Sequence, residues 1–285
     1  MAANDAARAQ ALLHAGRVGE AAAMLRHLVA RHPRDASLHY ALGRVLRLLG
    51  DDDGAEVAYR VALRCDPAMT DGWISLGTLL RTTGRLVEAE ACQRRAIALE
   101  PGNVPALVNF GNVIRAQGGR LPEAIAAYRA AQQFAPDSRE SLLALAASLY
   151  EAGRVEEAIG PLQRACELEP TDPTWLLRLI QALLMSGRPL LALGHAERLL
   201  ATRGAGDAVA LRLLAIALMY HGDATRARAL LDSALDLAPA DAQTRIALAM
   251  LRLREGGFAA GWEPYEARLE LPAMFTARHF TQPRW

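Results

Sequence analysis

The sequence predicts an all-α solenoid of about eight helix-turn-helix units, and three observations carry that reading. Alanine and leucine dominate the 285 residues, whereas the aromatic residues that fill strands make up only 5% and β-branched residues are scarce, which favours helix over sheet. Glycine recurs as Gly16, Gly50, Gly84, Gly118, Gly153, Gly187, Gly222 and Gly256, at intervals of 34 or 35 residues. Two more series keep the same period: Ala21, Ala55, Ala89, Ala124, Ala158, Ala192 and Ala227, and Pro33, Pro67, Pro101, Pro136, Pro170 and Pro239, with Gly204 where one proline is missing. Agreement of independent series on one period of about 20–50 residues marks a stacked-repeat architecture.

Each unit reads as two antiparallel helices. The glycine supplies the turn out of the first helix, a position that favours positive φ. The alanine lets the second helix approach the first closely, and the proline ends the second helix. Six units open on a residue suited to cap a helix: Asp35, Asn103, Ser138, Asp172, Asp207 and Asp241. The units fall near 2–35, 36–69, 70–103, 104–138, 139–172, 173–207, 208–241 and 242–261, the last partial or longer, with an aromatic-rich segment over 262–285. In the second unit, Leu42, Val45, Leu46 and Leu49 form the buried stripe, and Asp51, Asp52 and Asp53 open the second helix where carboxylates suit its dipole. Gly119 doubles the glycine of the fourth unit. In the fifth, Leu142, Leu145 and Leu149 form the stripe, and Glu156 and Glu157 open the second helix.

Composition also narrows the chemistry. All 32 basic residues are arginine, so mechanisms built on a phosphate-loop, ATP-binding or Schiff-base lysine are excluded. A formal net charge of +1 gives no global field to recruit nucleic acid or an anionic membrane. Cys65, Cys92 and Cys166 are odd in number and lack C-x-x-C spacing, which suits a reducing, cytoplasmic setting, and no apolar run approaches the roughly 18 residues that span a bilayer. The seven histidines are scattered without an H-E-x-x-H pattern, and Gly72, Ser75 and Gly77 have the wrong spacing and setting for a nucleophile elbow. The expectation is a chain that is not an enzyme, with no catalytic residue, cofactor or metal.

These residues resemble the tetratricopeptide repeat family over roughly residues 2–261. The third unit carries its pattern in Trp73, Leu76, Gly77, Leu80, Gly84, Ala89, Ala96 and Pro101. The second matches with Leu42, Gly43, Leu46, Ala55, Tyr59, Ala62 and Pro67, and the fourth with Phe110, Gly111, Ile114, Ala124, Tyr128, Ala131 and Pro136. Later units drift: Ala146, Ile180, Ala215 and Ala249 replace the small glycine, and Ile180 puts the close packing of its unit in question.

The resemblance implies a right-handed α-α superhelix whose concave wall, built from the first helices, binds a protein or peptide. Candidate groove residues are Arg44, Thr78 and Asn112 at one offset and Arg47, Arg81 and Arg115 at another, together with Asn109 and Tyr150. Arginine pairs bidentately with carboxylates, so the expected partner is acidic, with no nucleic acid and no membrane. Without lysine, the family's chaperone-type carboxylate clamp is not reproduced, and only Asn109 occupies the place of an asparagine ladder. Leu184, Met185, Met219 and Tyr220 give the later units an apolar wall, suited to an amphipathic helix or spent on helix packing.

The end of the chain gathers Phe258, Trp262, Tyr265, Phe275, Phe280 and Trp285. The string from Gly256 to Arg268, followed by Phe280 to Trp285, resembles the junction in bacterial tetratricopeptide proteins that continue into a glycosyltransferase-like domain. That resemblance implies a recruiting arm or N-terminal part of a larger transferase, with catalysis downstream; the alternative is a tail that folds back as a cap. A lower alternative is an RNA-binding helical repeat.

Overall fold

A computed structural model describes residues 11–12 and 15–270. Among them the structure is helical, with no strand. The order is α1 Val18–Arg31, α2 Ala36–Leu48, α3 Asp52–Cys65, α4 Thr70–Thr82, α5 Leu86–Leu99, α6 Val104–Gln117, α7 Leu121–Phe134, α8 Arg139–Glu151, α9 Val155–Leu168, α10 Pro173–Met185, α11 Pro189–Arg203, α12 Ala208–His221, α13 Ala224–Leu237, α14 Ala242–Arg254 and α15 Phe258–Tyr265, then a 3₁₀ turn at Glu266–Glu270. The chain divides into two compact units, Met1–Ala152 and Gly153–Trp285. In the first, α2 pairs with α3, α4 with α5 and α6 with α7; in the second, α10 pairs with α11, α12 with α13 and α14 with α15. First helices of successive repeats also touch, α4 with α6 and α6 with α8, and α10 with α12 and α12 with α14. This is an all-α stack of helical hairpins.

The corners follow from the glycine series. All eight glycines have positive φ, from 70° at Gly153 to 98° at Gly222. At Gly50 the geometry is a Schellman cap: Gly50 N donates to Arg47 O at 3.1 Å and Asp51 N to Leu46 O at 2.9 Å, so carbonyls left over by α2 are satisfied. Asp51 then starts the next helix, accepting from Gly54 N at 2.9 Å. Asp35, Asn103, Ser138, Asp172, Asp207 and Asp241 each accept a backbone N–H at the start of a first helix. Met69 opens α4 without a side-chain cap.

Between paired helices, small residues set the distance. Ala21, Ala55, Ala89, Ala124, Ala158, Ala192 and Ala227 are all fully buried. A Cβ on Gly43 would stand 2.6 Å from Tyr59 Cε1, on Gly111 2.5 Å from Tyr128 Cε1, and on Gly77 2.4 Å from Gln93 Nε2. The first helix therefore gives up its side chain where the second presents a large one. Ile180 inverts the arrangement. The residue at the Tyr59 offset of its hairpin is Ala196, and both Ile180 and Ala196 are fully buried. Here the larger side chain stands on the first helix and the smaller on the second, the reverse of Gly43 with Tyr59, and neither is exposed. At the last described hairpin, a Cβ on Gly261 would meet Leu253 Cγ at 2.6 Å, so α15 also packs closely on α14.

Salt bridges join successive second helices of the first unit. Arg85, just before α5, pairs with Glu88 and with Glu56 of α3, both at 2.7 Å. Arg120, just before α7, pairs with Glu123 at 2.6 Å and with Glu90 of α5 at 2.9 Å. Hydrogen bonding from Arg120 outweighs burial at Glu90 and, helped by Gln117 and Arg94, holds its carboxyl down at about 2.

Candidate functional site

The first helices of the first unit carry the predicted groove residues, and local chemistry sorts them. Arg44 is exposed, with its guanidinium 5.9 Å from the centre of the Tyr40 ring. Arg47 is half-buried, its Nε 4.0 Å from Asp52 Oδ1. The Thr78 hydroxyl donates to Ile74 O at 2.8 Å, back into its own helix. Asn109 and Tyr150 are half-buried.

Arg81, Asn112 and Arg115 come together. With Ala116 and Glu151 they line a cleft of about 560 Å³. Two arginines three residues before Gly84 and Gly118 meet there because α4 and α6 lie side by side. Arg81 and Arg115 make no ion pair among the described residues, and Arg81 Nε is buried without a hydrogen-bond partner. Glu151 likewise makes no ion pair there. The charged groups of the cleft are thus two guanidiniums and one carboxylate, an excess of one positive charge.

Asn112 is held from below. Tyr128 is fully buried, which raises its phenol above the ordinary value and keeps it protonated. Its hydroxyl donates to Asn112 Oδ1 at 2.9 Å, leaving the amide Nδ2 donors without a partner among the described residues. Tyr128 is the same side chain that requires Gly111, so the residue that sets the helix seam also fixes a donor in the cleft. The cleft offers guanidinium and amide donors with one carboxylate acceptor, which is the chemistry of an anionic group borne on a backbone with N–H donors.

Sequence reasoning missed Glu151 and Ala116. Both lie one position after the arginine offset, and reading that position across units would have found them. A second cavity, of about 390 Å³, is apolar and lined by residues including Ile97, Leu107 and Phe110. Arg94 at its edge stacks 4.9 Å over Phe110 and is bound by Glu90 and Glu123. Among the described residues no cluster of three or more His, Cys, Asp or Glu could hold a metal ion, and no described helix is long and apolar enough to cross a membrane.

In the second unit the residues three before the corner glycines are Leu184, Met219 and Leu253, followed by Met185, Tyr220 and Arg254. Met219 is buried, whereas Met185 is 67% and Tyr220 56% exposed. The expected apolar wall therefore divides: one residue is spent on packing and two face outward. At the C-terminal end, the rings of Trp262 and Tyr265 meet with centroids 5.7 Å apart. Phe275, Phe280 and Trp285 lie outside the described residues.

Comparison with known proteins gives a consistent family. Two tetratricopeptide repeat models match, one over residues 6–70, 114–173 and 143–208, the other over 70–103. None of these segments reaches the string from Gly256 onward, so the glycosyltransferase junction gains no support from them. A search of curated proteins returns no match. Among solved structures, the C-terminal part of a TPR repeat-containing protein from Cytophaga hutchinsonii aligns with a TM-score of 0.69 at 17% identity, covering 85% of this chain and 99% of that one. YrrB, described as a TPR protein with an unusual peptide-binding site, aligns with a TM-score of 0.59 at 22% identity, covering 70% of this chain and 98% of YrrB. A tetratricopeptide repeat protein from Parabacteroides merdae aligns with a TM-score of 0.57 at 16% identity, covering 88% and 98%. With more than half of its residues matched by the family models and its fold shared with these structures, the chain belongs to the tetratricopeptide repeat family.

Proposed function

We propose that this chain is a binding scaffold that holds an acidic polypeptide segment against the first helices of its first unit. The observation that carries the reading is the cleft in which Arg81 and Arg115, free of ion pairs among the described residues, stand beside the amide donors of Asn112. A guanidinium pair grips a carboxylate, Asn112 donates to a peptide carbonyl, and Glu151 accepts from a peptide N–H. The peptide-binding description of YrrB, a distant structural relative, agrees with this use of the fold. The role needs no catalytic residue and no cofactor. The free thiols of Cys65, Cys92 and Cys166 suit a reducing compartment, and we place the protein in the cytoplasm.

The test is fluorescence anisotropy with a labelled twelve-residue peptide rich in Asp and Glu, beside its Asn/Gln counterpart. The acidic peptide should bind about tenfold or more tightly than the neutral one, and Arg81→Glu with Arg115→Glu should remove that preference while leaving helical circular dichroism intact. Equal affinity for the two peptides would overturn the reading. Tighter binding of a single-stranded RNA oligomer, falling steeply with salt, would replace it with an RNA-binding role.

A further inference from the structure

The apolar cavity of about 390 Å³ in the first unit has no part in holding an acidic segment. Its wall comes from three helices: Ile97 and Ala98 of α5, Leu107 and Phe110 of α6, and Ala126 and Ala127 of α7. Leu107 and Phe110 stand five residues before Asn112 and Arg115, which at about 100° per residue places them about 140° around α6. The cavity therefore opens on a different side of α6 from the arginine cleft. Ala98 and Ala126 at its mouth are exposed, whereas Leu107, Phe110 and Ala127 are buried.

Comparison with the preceding repeat accounts for the space. One unit earlier the same offsets hold Arg64 for Ala98, Trp73 for Leu107 and Cys92 for Ala127, and only Leu76 for Phe110 is smaller. Trp73 is half-buried against the core of its unit, and its indole N–H donates to Pro67 O at 3.0 Å. Three side chains shrink and one grows, in an interior that otherwise packs closely. The largest single change is the loss of a bicyclic ring at Leu107.

We infer that this cavity binds a small, flat, uncharged aromatic molecule of the size of indole, the ring that Trp73 supplies one unit earlier. Size and apolarity follow from the wall, since the cavity falls in the range of small-molecule sites and is lined mainly by aliphatic and aromatic carbon. Flatness follows from Phe110 and Arg94, whose guanidinium lies 4.9 Å over the Phe110 ring, because planar groups reward a planar ligand. Neutrality follows from the polar edge. Arg94 pairs with Glu90 at 2.8 Å and Glu123 at 3.0 Å, and Arg120 pairs with the same two carboxylates at 2.9 Å and 2.6 Å. Two cations and two anions satisfy one another there. A charged ligand would lose its water against Phe110 and the alanines without gaining an uncommitted counterion.

The probe is indole, titrated into the full chain by ligand-observed NMR beside its anionic derivative indole-3-acetate. Indole should bind about tenfold or more tightly than the acetate. Leu107→Trp restores the residue of the preceding unit, and Ala126→Phe places a ring over the mouth from an exposed position; each should lower indole affinity by about tenfold with helical circular dichroism intact. Loss in either variant supports the site. Absence of binding at about 1 mM indole, equal affinity for indole and its acetate, or affinity unchanged in both variants overturns the proposal. The variants leave Arg81, Asn112 and Arg115 untouched, so the result is independent of the acidic-peptide test.

Discussion

Three residues before its corner glycines, the first unit places Arg47, Arg81 and Arg115; at the same place the second unit holds Leu184, Met219 and Leu253. The seams behind these residues obey one rule in both units. Gly43 makes room for Tyr59 and Gly111 for Tyr128, while Ile180 and Ala196, at the corresponding offsets, are both fully buried. Where the first helix gives up its side chain at Gly43 and Gly111 the second presents a tyrosine, and where it carries Ile180 the second carries alanine, while the exposed faces of the first helices differ between the units. The two units therefore share one fold and differ in what their first helices expose: arginine and asparagine in the first, Met185 and Tyr220 beside Arg254 in the second.

The hardest way to strain this comparison is to disturb the seam in each unit. Ile180→Ala leaves a cavity beside Ala196 and should destabilise by about 2–5 kcal/mol in urea unfolding. Gly111→Leu drives a side chain into Tyr128 and should cost about 1–3 kcal/mol in the same measurement. A neutral result at either position would show that volume is not what the paired helices conserve.

Much of this was legible in the sequence because the seam and the corner admit few residue types. A corner at positive φ selects glycine, and helices in close approach select alanine, so the periodic series located the hairpins. Ile180 stands out when read alone; sixteen residues on is Ala196, where the second repeat has Tyr59 and the fourth, one residue later because of Gly119, has Tyr128. The groove was legible only in part. Arg44, Arg47, Arg81 and Arg115 look alike in a repeat alignment, but Tyr40 and Asp52 engage the first two, and only the structure distinguishes Arg81 and Arg115. The links from Arg85 to Glu56 and from Arg120 to Glu90 were missed because their partners lie on different second helices, about a repeat apart.

Acid weakens those links between second helices. Glu90 sits at about 2 in the fold against an ordinary 4.5, so its contribution is complete above about pH 4.5 and disappears as pH falls toward 2. Discounted for solvent screening of Arg120, it amounts to about 1–2 kcal/mol. Unfolding measured between pH 6 and about 2 should show wild type losing that stability and Glu90→Gln being lower at neutral pH and flatter across the range. Identical pH profiles would mean that the ion pairs do not hold the second helices together.

The smallest effect concerns the thiols. Cys65 is exposed, whereas burial pushes Cys92 and Cys166 up to about 11. A chromogenic disulfide reagent at neutral pH should label Cys65 alone in the native chain, and all three after unfolding. Rapid native labelling of Cys166 but not Cys92 would show that the second unit opens more readily than the first.

The most direct test of the arginine cleft is a titration of both faces with one pair of peptides. Wild type, the Arg81→Glu/Arg115→Glu variant and a Met185→Glu/Tyr220→Glu variant of the second unit are each titrated with the acidic peptide and its Asn/Gln counterpart. The arginine variant should lose the acidic peptide by about tenfold or more, and the second-unit variant should keep it. Loss of the acidic peptide in both variants, or in neither, would contradict a site at Arg81 and Arg115.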